Sequence, residues 1–151
     1  MTAAGMIYAR GMSGLVLTLL AWITVEMGVG MPPSPDVVVV PEEQMSERAY
    51  GREWRLSDDV PAAYDRATRT VYLRNDWNPV DLRSRARLLH ELVHHVQNVN
   101  GVPYDCPASR EPEAYNLALQ WLEEEGAADP YATLGIDEFS IWILSRCPDE
   151  G

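Results

Sequence analysis

Asn78-Pro-Val-Asp-Leu-Arg-Ser-Arg-Ala-Arg-Leu-Leu-His-Glu-Leu-Val-His-His-Val-Gln-Asn-Val-Asn100 is the stretch around which the rest of this chain is arranged. Its apolar residues, Leu82, Ala86, Leu89, Leu92, Val93 and Val96, recur at three- and four-residue intervals. That spacing makes one buried stripe on a helix. Asn78 can cap the start, Pro79 suits the first helical position, and Asp81 falls in the first turn. Gly101 supplies the stop. The spacing therefore predicts a helix over Asn78–Asn100. His90 and His94 share a stripe with Arg83 and Arg87 beside the apolar one, at the rim of the buried face.

Working outward, Ala62 to Arg74 reads as a hairpin with Tyr64 on one arm, a turn at Asp65-Arg-Ala-Thr68, and an alternating arm Thr70-Val-Tyr-Leu73. Asp36-Val-Val-Val-Val40 reads as a strand ended by Pro41, after the turn Met31-Pro-Pro-Ser-Pro35. A short helix is expected over Pro41–Tyr50. Downstream come a loop from Val102 to Ser109, a helix from Arg110 to Glu125, a further helical turn starting at Asp129-Pro130, and a last apolar helix over Ile136–Arg146 with Phe139, Trp142 and Ile143. Helix, strand, helix, hairpin and three helices in that order point to an α+β fold with a small antiparallel or mixed sheet.

The chain has 151 residues, 46% of them apolar and 23% charged, with a net charge of −11. That is enough for one domain with a real core. Residues 105–151 hold eleven acids against Arg110 and Arg146. Such acidity excludes nucleic acid as a partner, since a binder needs a basic face. Leu15 to Val25 is an apolar run preceded by Arg10 and interrupted by Glu26. Residues 1–30 read equally as a signal peptide or as a core helix, and 31–151 as a single domain. The run is short for a membrane span, so membrane association could come only through this segment.

Cys106 and Cys147 are the two cysteines. They could be a disulfide, free core thiols or metal ligands, but no CxxC spacing exists, and a disulfide is the expectation. It would close a loop of about 40 residues and contribute roughly 3–4 kcal/mol. A disulfide implies an oxidising compartment, which favours export to the periplasm or outside over the cytoplasm.

All three histidines, His90, His94 and His95, lie within six residues. His90-Glu91-Leu92-Val93-His94 is an HExxH motif on a helix, and residues four apart can reach one metal ion. Glu91 points about 100° from His90 and about 60° from His94, from where a carboxylate can take a proton from water acidified by Zn²⁺. His95 points away from the pair, and a surface position is expected for it. The long metzincin motif is absent: Gln97 stands where its glycine would be, and no histidine follows His95. A third ligand must then be an acid or Cys106. Glu111 falls inside the apolar arc of its helix and Glu113 at the edge, so Glu111 is preferred. A carboxylate aimed into a core needs a partner, and one zinc ion would supply it. Glu113, Tyr115 and Arg110 are candidates for orienting the site or touching substrate, with Tyr115, Tyr104 or Arg110 as possible oxyanion donors.

An HExxH helix followed by a helix bearing a Glu ligand resembles the gluzincin pattern. The compact form resembles minimal gluzincins and the ImmA/IrrE-type metalloproteases, whose second helix carries ExxA followed by Asp or Asn. Glu111-Pro-Glu-Ala114 matches ExxA, and Tyr115 stands at the Asp/Asn position. The chain is also similar to small bacterial zincin-like proteins with a hairpin, a HELVHH-Q helix, a Cys loop and an E-x-E-A-Y helix, over Asp36–Cys147. The resemblance implies a minimal zincin-like fold: a small sheet with its hairpin packed on the HExxH helix and on a second, ligand-bearing helix. It implies a zinc metallopeptidase acting on a peptide or protein substrate. In such folds the strand before the HExxH helix, here Thr70–Arg74, edges the cleft, where an extended peptide could pair. The alternative is a non-catalytic zinc-binding regulatory or interaction module on the same fold. A metal-free interaction domain is a third reading.

Overall fold

The computed structural model describes residues 3–41 and 61–148, with side chains from residue 12 onward in the first stretch. These run through α1 (Ala3–Met27), β1 (Asp36–Val40), β2 (Ala62–Asp65), β3 (Thr70–Arg74), α2 (Leu82–Val99), a 3-10 turn (Pro107–Arg110), α3 (Glu111–Glu124), α4 (Pro130–Leu134) and α5 (Glu138–Leu144). The fold is α+β. The expected helix over Pro41–Tyr50 lies outside the described residues, apart from Pro41.

The three strands form one mixed sheet in the order β1-β3-β2. β2 and β3 are antiparallel, with Asp65 opposite Thr70, and β1 pairs parallel to β3, with Asp36 opposite Thr70. The hairpin loop is therefore Arg66–Arg69, one residue later than its expected start. Arg69 takes the left-handed conformation at φ 54°, and Asp65 Oδ1 accepts from the Ala67 backbone N–H at 2.9 Å. Thr70 to Leu73 are all buried, where alternating exposure is expected for a hairpin arm. The reason is that β3 is the central strand, with a neighbour on each side. One face of the sheet, with Val71 and Leu73, joins the main core; the other holds Val40 and Tyr72 with Val38 and Ala63.

Helix α2 starts at Leu82, three residues later than the capping pattern suggests. Asp81 is the cap: its side chain accepts from the Ser84 backbone N–H at 3.0 Å and from the Ser84 hydroxyl at 3.1 Å. Asn78 instead accepts from the Val80 N–H, closing the turn before the helix. At the other end Gly101 has φ 62°. The Val102 N–H returns to the Gln97 carbonyl and the Gly101 N–H to the Asn98 carbonyl, the bonding of a Schellman stop.

Met12, Val16, Leu19, Leu20 and Ile23 of α1 lie in the same cluster as Leu89, Leu92 and Val93 of α2 and Leu122 of α3. Residues on both sides of position 31 thus share one core, and no packing boundary falls there. The Trp22 indole N–H also donates to Glu124 at the end of α3, at 3.1 Å. Among the described residues no helix is long and apolar enough to cross a membrane.

The last helix is shorter and wetter than its composition suggests. Asp137 caps it, accepting from the Ser140 N–H at 2.7 Å. Ile141 is buried, whereas Phe139 and Trp142 are 68% and 54% exposed. Cys106 and Cys147 are disulfide-bonded, with Cα atoms 5.7 Å apart across 41 residues of sequence. A loop of that length corresponds to roughly 4 kcal/mol on the chain-entropy account. The bond ties the entrance of α3 to the chain beyond α5.

Because Leu20 is fully buried, Leu20→Ala should lower the free energy of unfolding by about 2–5 kcal/mol. Urea denaturation checks this; a loss near zero would mean that α1 contributes no core.

Candidate metal centre

Two helices build the centre. α2 presents His90 and His94 one turn apart, and α3 begins with Glu111. Ala86, Leu89, Leu92, Val93 and Val96 of α2 share a buried cluster with Ala114, Leu117, Ala118 and Trp121 of α3. That packing brings the first turn of α3 against the middle of α2. Glu111 Oε1 lies 3.0 Å from His90 Nε2 and 2.9 Å from His94 Nε2, and the two nitrogens are 3.2 Å apart. Three ligand-type atoms therefore meet at one point. Glu91 also belongs there: His90, Glu91 and His94 each place one ligand atom within 4.8 Å of the others, a group that could hold a metal ion. Glu111 is the closer acid to both nitrogens.

Of the two downstream acids, Glu111 reaches the histidines and Glu113 does not. Glu113 Oε1 accepts instead from the Gln97 amide at 3.0 Å and from the Tyr104 hydroxyl at 2.9 Å. Tyr104 is thereby engaged away from the histidines. Tyr115 lies against His90, ring centres 4.3 Å apart. Arg110 and Tyr115 both line the cleft over the centre, which has a volume of about 770 Å³ and is also walled by Pro61, Ala62, Ala63 and Tyr64. The cleft edge is thus β2, not the expected Thr70–Arg74 strand, because β3 is enclosed between β1 and β2.

The residue that sequence reasoning missed is Gln97. It is 1% exposed. Its Nε2 donates to the Arg110 carbonyl at 3.1 Å and to Glu113, so its Oε1 is left facing His94 Nδ1 at 2.9 Å. An Nδ1–H bond of this kind fixes the ring and aims Nε2 at the ion. The signal was available: Gln97 sits three residues after His94, on the same face.

Electrostatics follow from this packing. Burial pushes the Glu91 carboxyl above its ordinary range, and the Glu111 charge adds to that, while His90 and His94 oppose it. Burial alone would lower His94; the hydrogen bond and charge of Glu111 outweigh it, and His94 is raised to about 9. Burial likewise disfavours the Glu111 anion, yet the hydrogen bonds from both imidazoles hold it well below the usual carboxylate range. Both His94 nitrogens face acceptors, Nδ1 the Gln97 Oε1 and Nε2 the Glu111 Oε1, each at 2.9 Å. A cation at the same point must displace the Nε2 proton, so metal affinity rises with pH.

His95 is not at the surface. It is 1% exposed, and its Nε2 donates to the Pro33 carbonyl at 2.7 Å. Its Nδ1 then accepts from the Tyr64 hydroxyl at 2.7 Å, whose oxygen accepts from the Asn98 amide at 3.0 Å. This chain fastens β2 and the segment before β1 to α2, and it requires a neutral imidazole. Sequence alone shows only that His95 faces away from its neighbour; the partners come from 31 and 62 residues away.

Residues 8–149 match the model of a family described as Domain of unknown function (DUF6647). The chain belongs to the DUF6647 family. No curated protein and no solved structure matches it. The match covers α2, α3 and the disulfide, so both helices of the centre lie inside the DUF6647 domain.

Two predictions follow from these bonds. Gln97→Ala should weaken Zn²⁺ binding about 10–100-fold in a competition titration with a chromophoric chelator; unchanged affinity would remove the orienting role. For His95, burial lowers the pKa from its ordinary value. The stability it contributes is therefore present above about pH 6.5 and is lost as pH falls through the lower, folded-state value. In chelator, the wild type should lose more stability between pH 7.5 and 5.5 than His95→Gln does; equal losses would contradict a neutral, buried His95.

Proposed function

We propose that this chain is a zinc-dependent peptidase. The observation that carries the reading is the convergence of His90 Nε2, His94 Nε2 and Glu111 Oε1 within 3.2 Å of one another, on the floor of an open cleft. Ligand atoms of a tetrahedral zinc site, at 2.0–2.1 Å from the ion, stand roughly 3.3–3.4 Å apart. The three atoms need to spread by only a few tenths of an ångström to take the ion. Two imidazoles and one carboxylate are also a common catalytic donor set for zinc, leaving a fourth position for water or substrate. The resemblance of the HExxH and ExxA segments to gluzincins supports the same reading.

When bound, zinc would acidify a water and polarise the scissile carbonyl. The chain's own residues divide the remaining work. His90, His94 and Glu111 would hold the ion, with Gln97 keeping His94 in the required tautomer. Glu91 sits beside them without a place in that trio. Its carboxylate would accept the proton of the attacking water and hand it to the leaving amine. A purely structural site would have no need of Glu91 there. Burial raises the Glu91 proton affinity, which suits a group that must take up a proton and then release it.

An extended peptide would enter along β2. Among the described residues this strand pairs only with β3, and its Pro61–Tyr64 side lines the cleft. Backbone pairing with a strand edge binds a peptide without reading its sequence. The disulfide, which belongs in an oxidising compartment, supports action outside the cytoplasm.

Glu91→Gln should retain about one zinc per chain, fold normally, and cleave peptides about 10²–10⁴-fold more slowly than wild type. Metal analysis and a broad peptide library read the two properties separately. Equal cleavage by Glu91→Gln would overturn the mechanism. Zinc-loaded wild type that cleaves nothing would leave a non-catalytic zinc-binding module. Loss of zinc from Glu113→Ala, but not from Glu111→Ala, would overturn the ligand set.

A further inference from the structure

The chain holds 12 arginines against 23 acidic residues, yet among the described residues the charge balance is reversed around the cleft. Arg66, Arg87 and Arg110 line it, and the acids among its described lining are Glu91 and Glu111 alone. Both of those acids belong to the metal centre. The arginines come from three separate elements: the β2–β3 loop, α2, and the turn into α3.

Arg66 and Arg110 form a pair. Their backbones are anchored by adjacent residues of α2: the Arg66 carbonyl accepts from the Asn98 amide, and the Arg110 carbonyl from the Gln97 amide, each at 3.1 Å. Both residues therefore line the cleft from anchors on the same turn of α2, the one that follows His94. Arg110 is further fixed by the disulfide four residues before it. Its guanidinium sits over the Tyr104 ring, 5.8 Å from the ring centre. Among the described residues, neither guanidinium has a carboxylate within 4 Å.

Two like charges lining one cleft repel each other until an anion joins them. The planar guanidinium fork matches a carboxylate geometrically, and such bonds are the stronger, charge-assisted kind. We propose that Arg66 and Arg110 form a carboxylate-binding subsite at the His94 end of the cleft, which takes an Asp or Glu side chain of the bound peptide. The identity of the ligand as a peptide rests on the peptidase reading; the subsite itself rests on the two arginines. Substrate selection would then combine backbone pairing along β2 with one acidic anchor.

The test uses fluorescent peptides blocked at both ends that carry a single Glu, Gln or Lys at matched positions. A second set has no internal acid and a free C-terminal carboxylate. Binding is read by anisotropy on zinc-loaded Glu91→Gln protein, and cleavage on the wild type. Blocked Glu peptides should bind about tenfold or more tightly than their Gln counterparts. Arg66 is an exposed loop residue, so its variants should fold. In Arg66→Gln the Glu/Gln ratio should fall toward one, and in Arg66→Glu the preference should turn toward Lys. Arg110→Gln should reduce the ratio as well. Equal binding of Glu and Gln peptides, or an unchanged ratio in the arginine variants, would overturn the subsite. A preference confined to free C-termini would overturn the side-chain assignment. Discrimination in binding without any wild-type cleavage would remove the peptidase reading and keep the subsite. Cleavage without discrimination would do the reverse.

Discussion

The packing of α2 on α3 is the constraint from which the rest of the site follows. Leu89, Leu92, Val93 and Val96 on one helix and Ala114, Leu117, Ala118 and Trp121 on the other bury a continuous apolar surface, and burial of such residues is the dominant favourable term in folding. Small residues at Ala86, Ala114 and Ala118, all fully buried, let the helices approach closely. The carboxylate of Glu111 is carried to the histidines by that apolar contact, and not by its own attraction to them. The candidate metal centre is a polar consequence of hydrophobic packing. Its cost is met locally: each of the three converging side chains has a partner, and among the described residues no buried side-chain nitrogen or oxygen is left unpaired.

A second layer of polar bonds fixes what packing leaves loose. Gln97, Glu113 and Tyr104 form one run of hydrogen bonds behind His94. His95, Tyr64, Asn98 and the Pro33 carbonyl form another on the opposite side of α2. The first sets the orientation of the His94 ring. The second sets the position of β2 and hence the width of the cleft. His94 and His95 are neighbours in sequence with unrelated duties, because a helix turns successive side chains about 100° apart.

The cleft also departs from the protein's average electrostatics. A strongly acidic chain gathers three arginines around an opening, and low-dielectric walls concentrate that local field. Repulsion from the rest of the surface would keep an acidic ligand away in general, so its binding would depend on reaching this one place.

By itself the sequence determined the α+β class, the strand before the hairpin, the i, i+4 histidine pair and the Cys106–Cys147 bond. Each depends on local spacing, on turn chemistry or on having only two candidates to pair. It also favoured Glu111 over Glu113, because a helical wheel shows which acid points toward the apolar arc. Other features were decided only by tertiary structure. β3 became the central strand because β1 added to its far side in parallel, a pairing that no local pattern encodes. The start of α2 moved to Leu82 because Asp81 found both the N–H and the hydroxyl of Ser84. Gln97 acquired a role, and His95 a buried place, from partners brought in by distant parts of the chain. Arg66 and Arg110 lie 44 residues apart in sequence and line one cleft because adjacent amides on α2 hold both backbones. Such long-range meetings depend on how faces pack in three dimensions, and periodicity along the chain carries no record of them.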